Sequence, residues 1–277
     1  MGLRINTNVV SLAAQRTLGQ NNHSQGEVLG KLASGSRINK SADDAAGLAI
    51  SEKLKAQIRS TNQANRNAND GISLIQTAEG GLGEVSNILI RLRELAIQSA
   101  SDTVSDKERA FTDLEFQNLK QEVQRISQVT EFNGLKLLNG FEKDYDIQIG
   151  INNNPFEDRL TYKSSVLNSS LEALHLDEMG VSQKEGSQES LSILDQAIHN
   201  VSGQRAELGA VQNRLQSTIR NLQVSSENLS AANSRIRDTD YAAATAENTR
   251  MNILTQSGTA VLSQANLMGQ QALKLIG

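Results

Sequence analysis

Apolar side chains recur at intervals of seven residues along the segment 191–236. One column of this heptad pattern is apolar throughout, whereas the second is polar at four of its seven positions. Such a pattern predicts a long α-helix whose apolar seam faces other helices. Because a symmetric dimer favours two apolar columns, we expect the neighbours of this helix to differ along its length. The apolar column is Leu194, Val201, Leu208, Leu215, Leu222, Leu229 and Ile236, and the second is Leu191, Ile198, Arg205, Gln212, Ile219, Ser226 and Asn233.

Two further heptad runs lie in the N-terminal half of the chain. The short segment 100–106 separates them, and Ser105 followed by Glu108 has the spacing of a helix-capping box. Residues 70–130 are therefore predicted to form two helices joined by a short loop. Together with 191–236 they predict a three-helix bundle. The first run is Leu82, Val85, Leu89, Leu92, Ala96 and Ser99, and the second is Thr112, Phe116, Leu119, Val123, Ile126 and Thr130.

The middle of the chain has a pattern typical of β-structure. The dipeptides Asn133-Gly134 and Asn139-Gly140 favour tight turns. Residues 145–149 alternate between apolar and polar side chains, as the strand of a small sheet does. We therefore predict a β-element over residues 133–165. The polar, glycine-containing segment 177–190 is predicted to be a tip loop.

The two ends of the chain carry apolar stripes at helical spacing on segments with few charges. Residues 251–277 contain a single charged side chain, Lys274. An isolated helix of this kind is marginal in water, so we expect both ends to fold against each other and against other copies of the chain. Simple fraying of the termini is the alternative. The predicted self-assembly residues are Ile5, Val9, Leu12, Leu32, Met251, Leu254, Val261, Leu262, Ala265, Met268, Leu273, Leu275 and Ile276.

Composition narrows the classes of function. The chain has one proline, Pro155, which permits very long helices, and no cysteine, which excludes disulfides. The net charge of −4 offers no electrostatic footprint for nucleic acid. The chain has no run of 18 apolar residues, so the sequence predicts no membrane-spanning helix. The N-terminus lacks the apolar core of a secretory signal peptide, so we expect either export without a cleaved signal or an intracellular protein.

No pattern of catalytic or metal-binding residues emerges. The histidines His23, His175 and His199 have no ligand spacing, and the metallopeptidase pattern HExxH does not occur. The glycine run 80–83 lacks both the third glycine and the flanking strand of a dinucleotide site. We therefore expect no enzyme activity and no cofactor.

Four motifs in a fixed order resemble those of bacterial flagellins. The N-terminal motif is LASGSRINKSADDAAGLAI at 32–50, followed by LRELA at 92–96 and TEFNG at 130–134. The C-terminal motif comprises SRIRDTDY at 234–241 and ILTQSGTAVLSQAN at 253–266. The resemblance covers nearly the whole chain except residues 170–190. It implies an exported structural subunit that polymerises through its terminal helices into the extracellular flagellar filament used for motility.

The resemblance also implies a mainly α architecture, a long coiled-coil or bundle rod with a small β-hairpin element. Flagellins pair their termini in an inner domain, D0, and build the next shell, D1, from the flanking helices. A middle this short implies that the outer domains of larger flagellins are missing. The implied boundaries are 1–40 for the N-terminal D0 helix, 41–176 for N-terminal D1 with its β-element at 133–165, 177–190 for the tip loop, 191–236 for the C-terminal D1 helix and 237–277 for the C-terminal D0 helix.

The resemblance also implies functional roles for particular residues. Arg37, Asp43 and Asp44 match the link between D0 and D1, where buried opposite charges would set the register between neighbours. An exposed helix start capped by the two aspartates is the equal alternative. Animal Toll-like flagellin receptors contact related proteins at positions that correspond here to Arg91, Leu95 and Glu115. Further implied partners are other flagellin subunits, a type III export chaperone, the filament cap and hook–filament junction proteins.

Two other readings of the chain remain open at this point. A hook–filament junction protein shares the terminal helices, although it usually matches the two signatures poorly. A soluble coiled-coil adaptor would form a discrete dimer, which the charge-poor segment 251–277 argues against.

Overall fold

The computed structural model describes residues 7–140 and 143–274, with side chains up to residue 267. This part of the chain is mainly helical, as predicted, and carries two small antiparallel strand pairs. The helices are α1 (Val9–Ser34), α2 (Ala45–Ser99), α3 (Asp106–Val129), α4 (Lys184–Arg237) and α5 (Tyr241–Lys274). The strands are β1 (Glu131–Phe132), β2 (Leu135–Lys136), β3 (Tyr145–Gln148) and β4 (Arg159–Tyr162).

The chain divides into two compact units. The first comprises residues 1–58 and 228–277, and the second comprises residues 59–227. Helices α2 and α4 contribute residues to both units.

The first unit is built around an antiparallel pair formed by α1 and α5. The side-chain amide of Asn8 donates to the carbonyl of Ala265 at 2.8 Å, near one end of the pair. Gln25 donates to the side-chain oxygen of Asn252 at 2.5 Å, further along. Small side chains such as that of Ala265, which is 3% exposed, allow the two helices to approach closely. Polar and small residues therefore contribute to this helical contact, together with larger side chains such as Leu18, whose Cδ1 atom would lie 3.3 Å from a Cβ atom at Gly258.

The second unit has a continuous apolar core to which α2, α3 and α4 all contribute. The predicted heptad positions Leu82, Leu89 and Leu92 of α2 are fully buried, as are Phe116 and Val123 of α3. On α4 only the N-terminal part of the apolar column is buried in this core. Those residues are Leu194, Val201, Leu208 and Leu215. The three-helix arrangement expected from the heptad pattern is thus confirmed in this unit.

The turn between α2 and α3 is closed by polar contacts. Glu108 accepts hydrogen bonds from the backbone nitrogen and hydroxyl of Ser105, at 2.8 and 2.9 Å, as the capping-box spacing predicted. These bonds hold the pKa of Glu108 below its usual range. Arg109 is buried and donates to the carbonyls of Ser99 and Ser101, both at 2.8 Å. The Arg109 guanidinium thereby satisfies carbonyls at the C-terminal end of α2.

The β-element consists of two hairpins. In the first, Asn133 and Gly134 have φ angles of 50° and 78° and connect β1 to β2, as expected of an Asn-Gly turn. In the second, β3 pairs with β4 in a register that places Tyr145 opposite Tyr162. The buried Tyr162 hydroxyl donates to the carbonyl of Leu137 at 3.0 Å, and this bond ties the second hairpin to the segment after the first.

Helix α4 begins earlier than predicted. Residues 184–190 belong to α4 rather than to the predicted tip loop 177–190, so that expectation is wrong for its second half. Ser187 and Ser190 are buried there and donate to the carbonyls of Gln183 and Gly186, one turn earlier, at 2.8 and 2.7 Å. Because both hydroxyls are hydrogen-bonded within the helix, serine can take the place of an apolar residue at the core face. The apolar periodicity therefore does not extend into this turn, and the sequence pattern did not predict it as helix.

Candidate functional site

An apolar surface lies on the outside of the α1–α5 pair. The contact between the helices includes hydrogen-bonded side chains, such as that of Ser11, whose hydroxyl donates to Asn266 at 2.9 Å, and half-buried apolar ones such as Leu18. Eight large apolar side chains of the two helices are exposed in the described part of the chain. Their exposed fractions lie between 43% and 61%. They are Val9, Val10, Leu12 and Leu29 of α1, and Ile253, Leu254, Val261 and Leu267 of α5.

The structure separates the predicted self-assembly residues into three groups. Val9, Leu12, Leu254 and Val261 belong to the exposed apolar surface. Leu32, Met251 and Leu262 are half-buried, and Ala265 is buried at the contact between the helices. The remaining predictions, Ile5, Leu275 and Ile276 and the side chains of Met268 and Leu273, lie outside the described residues.

Four members of the exposed surface were missed by the sequence reasoning. Val10, Leu29, Ile253 and Leu267 lie beside the stripe chosen from 3.6-residue spacing, not on it. A single stripe describes a helix with one apolar neighbour. The signal that would have found these four is the width of the apolar face, which exceeds what one partner helix covers.

The apolar column of α4 changes its burial along the helix. Leu208 and Leu215 are 1% and 0% exposed, whereas Leu222, Leu229 and Ile236 are half-buried. Two of the four polar positions of the second column, Ser226 and Asn233, have polar partners on α2, which accounts for polar residues at these two positions. Ser226 donates to the side-chain oxygen of Asn62 at 3.0 Å, and Ser51 donates to that of Asn233 at 2.8 Å.

The predicted link residues Arg37, Asp43 and Asp44 lie between α1 and α2. The backbone nitrogen and guanidinium of Arg37 donate to the carbonyls of Arg237 and Ile236, at 2.6 and 2.8 Å. Arg37 and Asp43 are exposed, and no ion pair joins Arg37 to either aspartate in the described part of the chain.

Each aspartate of this segment caps nearby backbone. Asp43 accepts from the backbone nitrogens of Asn39 and Lys40, each at 2.9 Å. Its pKa is lowered, chiefly by the bond from Lys40 and then by that from Asn39. Asp44 accepts from the nitrogen of Gly47 at 2.8 Å. Within one chain, these bonds match the alternative given in the sequence analysis, in which the two aspartates cap an exposed helix start.

The predicted receptor-contact positions do not share one environment. Arg91 of α2 reaches Glu115 of α3 at 2.9 Å and Glu94 at 3.0 Å. The bonds to Glu115 and then Glu94 raise the pKa of Arg91. All three charged groups are exposed. Leu95, in contrast, is 2% exposed and belongs to the core, so its side chain offers no surface for a partner.

No arrangement typical of catalysis accompanies these surfaces. An open groove of about 520 Å³ beside the start of α4 is lined by His175 and carboxylates including Glu172 and Glu189. Within the described residues, however, no three histidine, cysteine or acidic groups are placed to hold a metal ion. None of the helices in the described part is long and apolar enough to cross a membrane.

These features define a class: a helical structural protein with an apolar outer surface on its terminal helices. Family comparison then identifies the chain. Residues 5–143 match the model of the bacterial flagellin N-terminal helical region, and residues 191–276 match that of the bacterial flagellin C-terminal helical region. The chain therefore belongs to the flagellin family.

Similar proteins of known identity agree over nearly the full length. The chain is 44% identical to the flagellin of Halalkalibacterium halodurans, over 98% of this chain and 99% of that protein. It is 42% identical to the flagellin of Bacillus subtilis, over 99% of this chain and 100% of that protein. The 33 kDa core protein of the Treponema phagedenis flagellar filament is 40% identical, with coverages of 98% and 99%.

Solved structures show the same fold. The crystal structure of Bacillus cereus flagellin matches with a TM-score of 0.51 at 30% identity, covering 61% of this chain and 94% of that one. A putative flagellar hook-associated protein from Vibrio parahaemolyticus matches with a TM-score of 0.59 at 14% identity, covering 71% and 100% respectively, which shows the fold alone. Nothing in these comparisons favours the hook–filament junction reading. The chain is a structural filament subunit that self-polymerises outside the cell, and it is not an enzyme.

Proposed function

We propose that the α1–α5 pair drives growth of the filament by burying its outer apolar surface against neighbouring copies. The observation that carries this proposal is the exposure of eight large apolar side chains on the two helices, while hydrogen bonds such as those from Asn8 and Ser11 help to hold the pair together. Full burial of a fully exposed side chain of this kind is worth about 1.5–3 kcal/mol, and because these are about half exposed, each contributes roughly half of that on assembly. The set is thus large enough to offset the cost of ordering a subunit on the filament.

The geometry of the surface suits an open polymer. A closed dimer needs one self-complementary patch, whereas a filament needs different patches that meet head to tail without closure. The exposed side chains occur on both helices, with Leu12 on α1 and Val261 on α5 as examples. Two helices with separate apolar faces supply two unlike patches for this purpose.

Substitution of Val261 tests the proposal. Val261→Asp places a charge on the outer surface and should raise the monomer concentration needed for growth on filament seeds by about tenfold or more, because an unpaired buried charge is costly. Val261→Ile keeps the surface apolar and serves as the matched control. Both variants should melt like the wild-type monomer, since Val261 is 54% exposed there. Normal seeded growth of Val261→Asp, measured by sedimentation, would contradict the proposal.

The division into D0 and D1 belongs to the same proposal. On this reading α1 and α5 form D0, and α2, α3, α4 and the β-element form D1. Arg37, Asp43 and Asp44 act at the link between them. The hydrogen bonds from Arg37 to the carbonyls of Ile236 and Arg237 support this role, because they join the segments that leave α1 and α4.

Export and partners follow from the family likeness. The pairing of α1 with α5 supports an N-terminal helix that is retained after export, so secreted filaments should contain it intact by mass spectrometry. An export chaperone, the filament cap and hook–filament junction proteins are the further proposed partners. For animal flagellin receptors the proposed contact is the exposed Arg91–Glu115 ion pair, without Leu95.

A further inference from the structure

A single loop presents an almost fully exposed aromatic ring. Phe156 lies in the loop 149–158 between β3 and β4, and its side chain is 95% exposed, the highest value among the large apolar residues of the described part. The sole proline of the chain, Pro155, immediately precedes it. In this position the ring contributes nothing to the core.

The loop that carries Phe156 is held by a buried carboxylate. Asp158 is 6% exposed, and its side chain accepts from the backbone nitrogens of Asn152 and Asn154, at 3.3 and 2.9 Å. Its carbonyl accepts from the nitrogens of Ile149 and Gly150, at 2.8 and 3.0 Å. The loop is therefore closed at its base by both the side chain and the backbone of one residue.

One further hydrogen bond and a steric constraint order the rest of the loop. The nitrogen of Phe156 itself donates to the side-chain oxygen of Asn154 at 3.1 Å. A Cβ atom at Gly150 would lie 1.8 Å from a carboxylate oxygen of Asp158, so the loop leaves no room for a side chain there. Proline at 155 removes further backbone freedom. The ring is held out from an ordered loop.

Such preorganisation has a physical consequence for binding. A flexible loop loses conformational freedom when it docks, whereas an ordered loop has already lost it during folding, so more of the apolar contact appears as affinity. Aromatic side chains, phenylalanine included, are enriched at protein–protein interfaces. A fully exposed phenylalanine on an ordered loop is thus suited to insertion into another surface.

We propose that Phe156 is an anchor that inserts into an apolar surface of a second copy of this chain when the filament grows. The partner is a second copy because the chain is a self-polymerising filament subunit, so its neighbours outside the cell are other copies. The inference rests on the proposed function above and adds a contact from the β-element to those of the terminal helices.

Seeded growth of variants tests this anchor. Phe156→Ala should raise the monomer concentration needed for growth by about tenfold, which corresponds to ~1.4 kcal/mol per added subunit. Phe156→Leu keeps most of the apolar area and should lose much less. Neither change should alter the melting of the monomer, because the ring makes no core contact. Growth of Phe156→Ala at the wild-type concentration, or equal losses in the two variants, would overturn the anchor.

A second measurement reads the burial directly and separates this proposal from the first. The chain has no cysteine, so Glu157→Cys with a polarity-sensitive dye labels one exposed position beside the ring. Its emission should shift to shorter wavelength when labelled monomers add to seeds. An unchanged emission in filaments that do form overturns the anchor alone. Failure of the wild-type protein to extend seeds would instead refute the assembly proposal.

Discussion

Alanine substitutions at the adjacent glycines Gly80 and Gly81 of α2 should differ in their effect on thermal stability. A Cβ atom at Gly80 would meet nothing within 4 Å, whereas one at Gly81 would lie 2.8 Å from both the Leu138 Cδ1 and Thr130 Oγ1 atoms. Leu138 is fully buried, and the Thr130 hydroxyl donates to the carbonyl of Ile126 at 2.7 Å. Neither neighbour is free to move aside, so Gly81 marks the close approach of the segment after α3 to α2.

The size of the difference follows from two effects. Alanine in place of glycine inside a helix stabilises by about 1 kcal/mol, and this gain is common to both positions. Overpacking costs about 1–3 kcal/mol and applies only at residue 81. For a unit of this size, 1 kcal/mol shifts the melting temperature by about 2–4 °C. Gly80→Ala should therefore melt about 2–4 °C above wild type, and Gly81→Ala about 2–12 °C below Gly80→Ala.

Thermal melting of the two monomers, followed by circular dichroism at a concentration too low for assembly, measures this difference. Because the propensity gain is common to both variants, it cancels in the comparison and leaves the packing cost. Variants that melt within about 1 °C of each other would refute the close approach at Gly81. That result would also remove the structural reason for glycine at position 81.

Two further predictions concern the second unit. Leu215→Ala should lower the free energy of unfolding by about 2–5 kcal/mol because its side chain is fully buried, whereas the half-buried Leu222 should lose less than half as much in Leu222→Ala; equal losses in denaturant unfolding would contradict the burial difference along α4. The Asp195 carboxylate accepts from Arg93 at 2.6 Å, and this bond lowers its pKa. Since the folded pKa lies below the unfolded value of about 3.9, the stabilisation is complete above that value and is lost as the pH falls through the folded pKa. Asp195→Asn should therefore flatten the fall in melting temperature below about pH 4, and an unchanged pH profile would show that the ion pair contributes nothing.

The sequence predicted the elements that carry large apolar side chains at regular spacing. The heptad positions of α2 and α3, the loop between those helices and the Asn133-Gly134 hairpin all appear in the structure. Each has a local cause, either a periodic apolar face or a dipeptide that favours one turn geometry. Features of this kind can be recognised without tertiary information.

Elements with small or polar core residues escaped prediction. The N-terminal part of α2 buries Ser51, Thr61 and Ala64, which carry little hydrophobic signal. The first turns of α4 bury serines in the same way. Whether a serine faces the core depends on the distance to the neighbouring helix, and that distance is a property of the folded molecule. Sequence spacing alone therefore could not place these residues inside.

The candidate surfaces show the same division. Spacing placed Val9, Leu254 and Val261 on an apolar face, but it could not separate the side of the helix that meets its partner from the side that remains open. Family resemblance likewise grouped Leu95 with Arg91, although the structure buries Leu95. A resemblance transfers residue types, whereas exposure depends on how neighbouring side chains fill the space.

If the outer apolar surface drives assembly as proposed, the distribution of polar and apolar side chains in the first unit explains how one chain can both fold and polymerise. Hydrogen bonds such as those from Asn8 to Ala265 and from Gln25 to Asn252 are directional, so they specify the register of α1 against α5. Apolar burial is non-directional and scales with area, so it suits contacts that must form with each new neighbour. If the large apolar side chains filled the α1–α5 contact instead, the pair would be satisfied within one subunit and would retain little driving force for growth. On the proposed function, directional bonds inside the subunit and exposed apolar area outside it therefore couple a defined subunit structure to open-ended assembly.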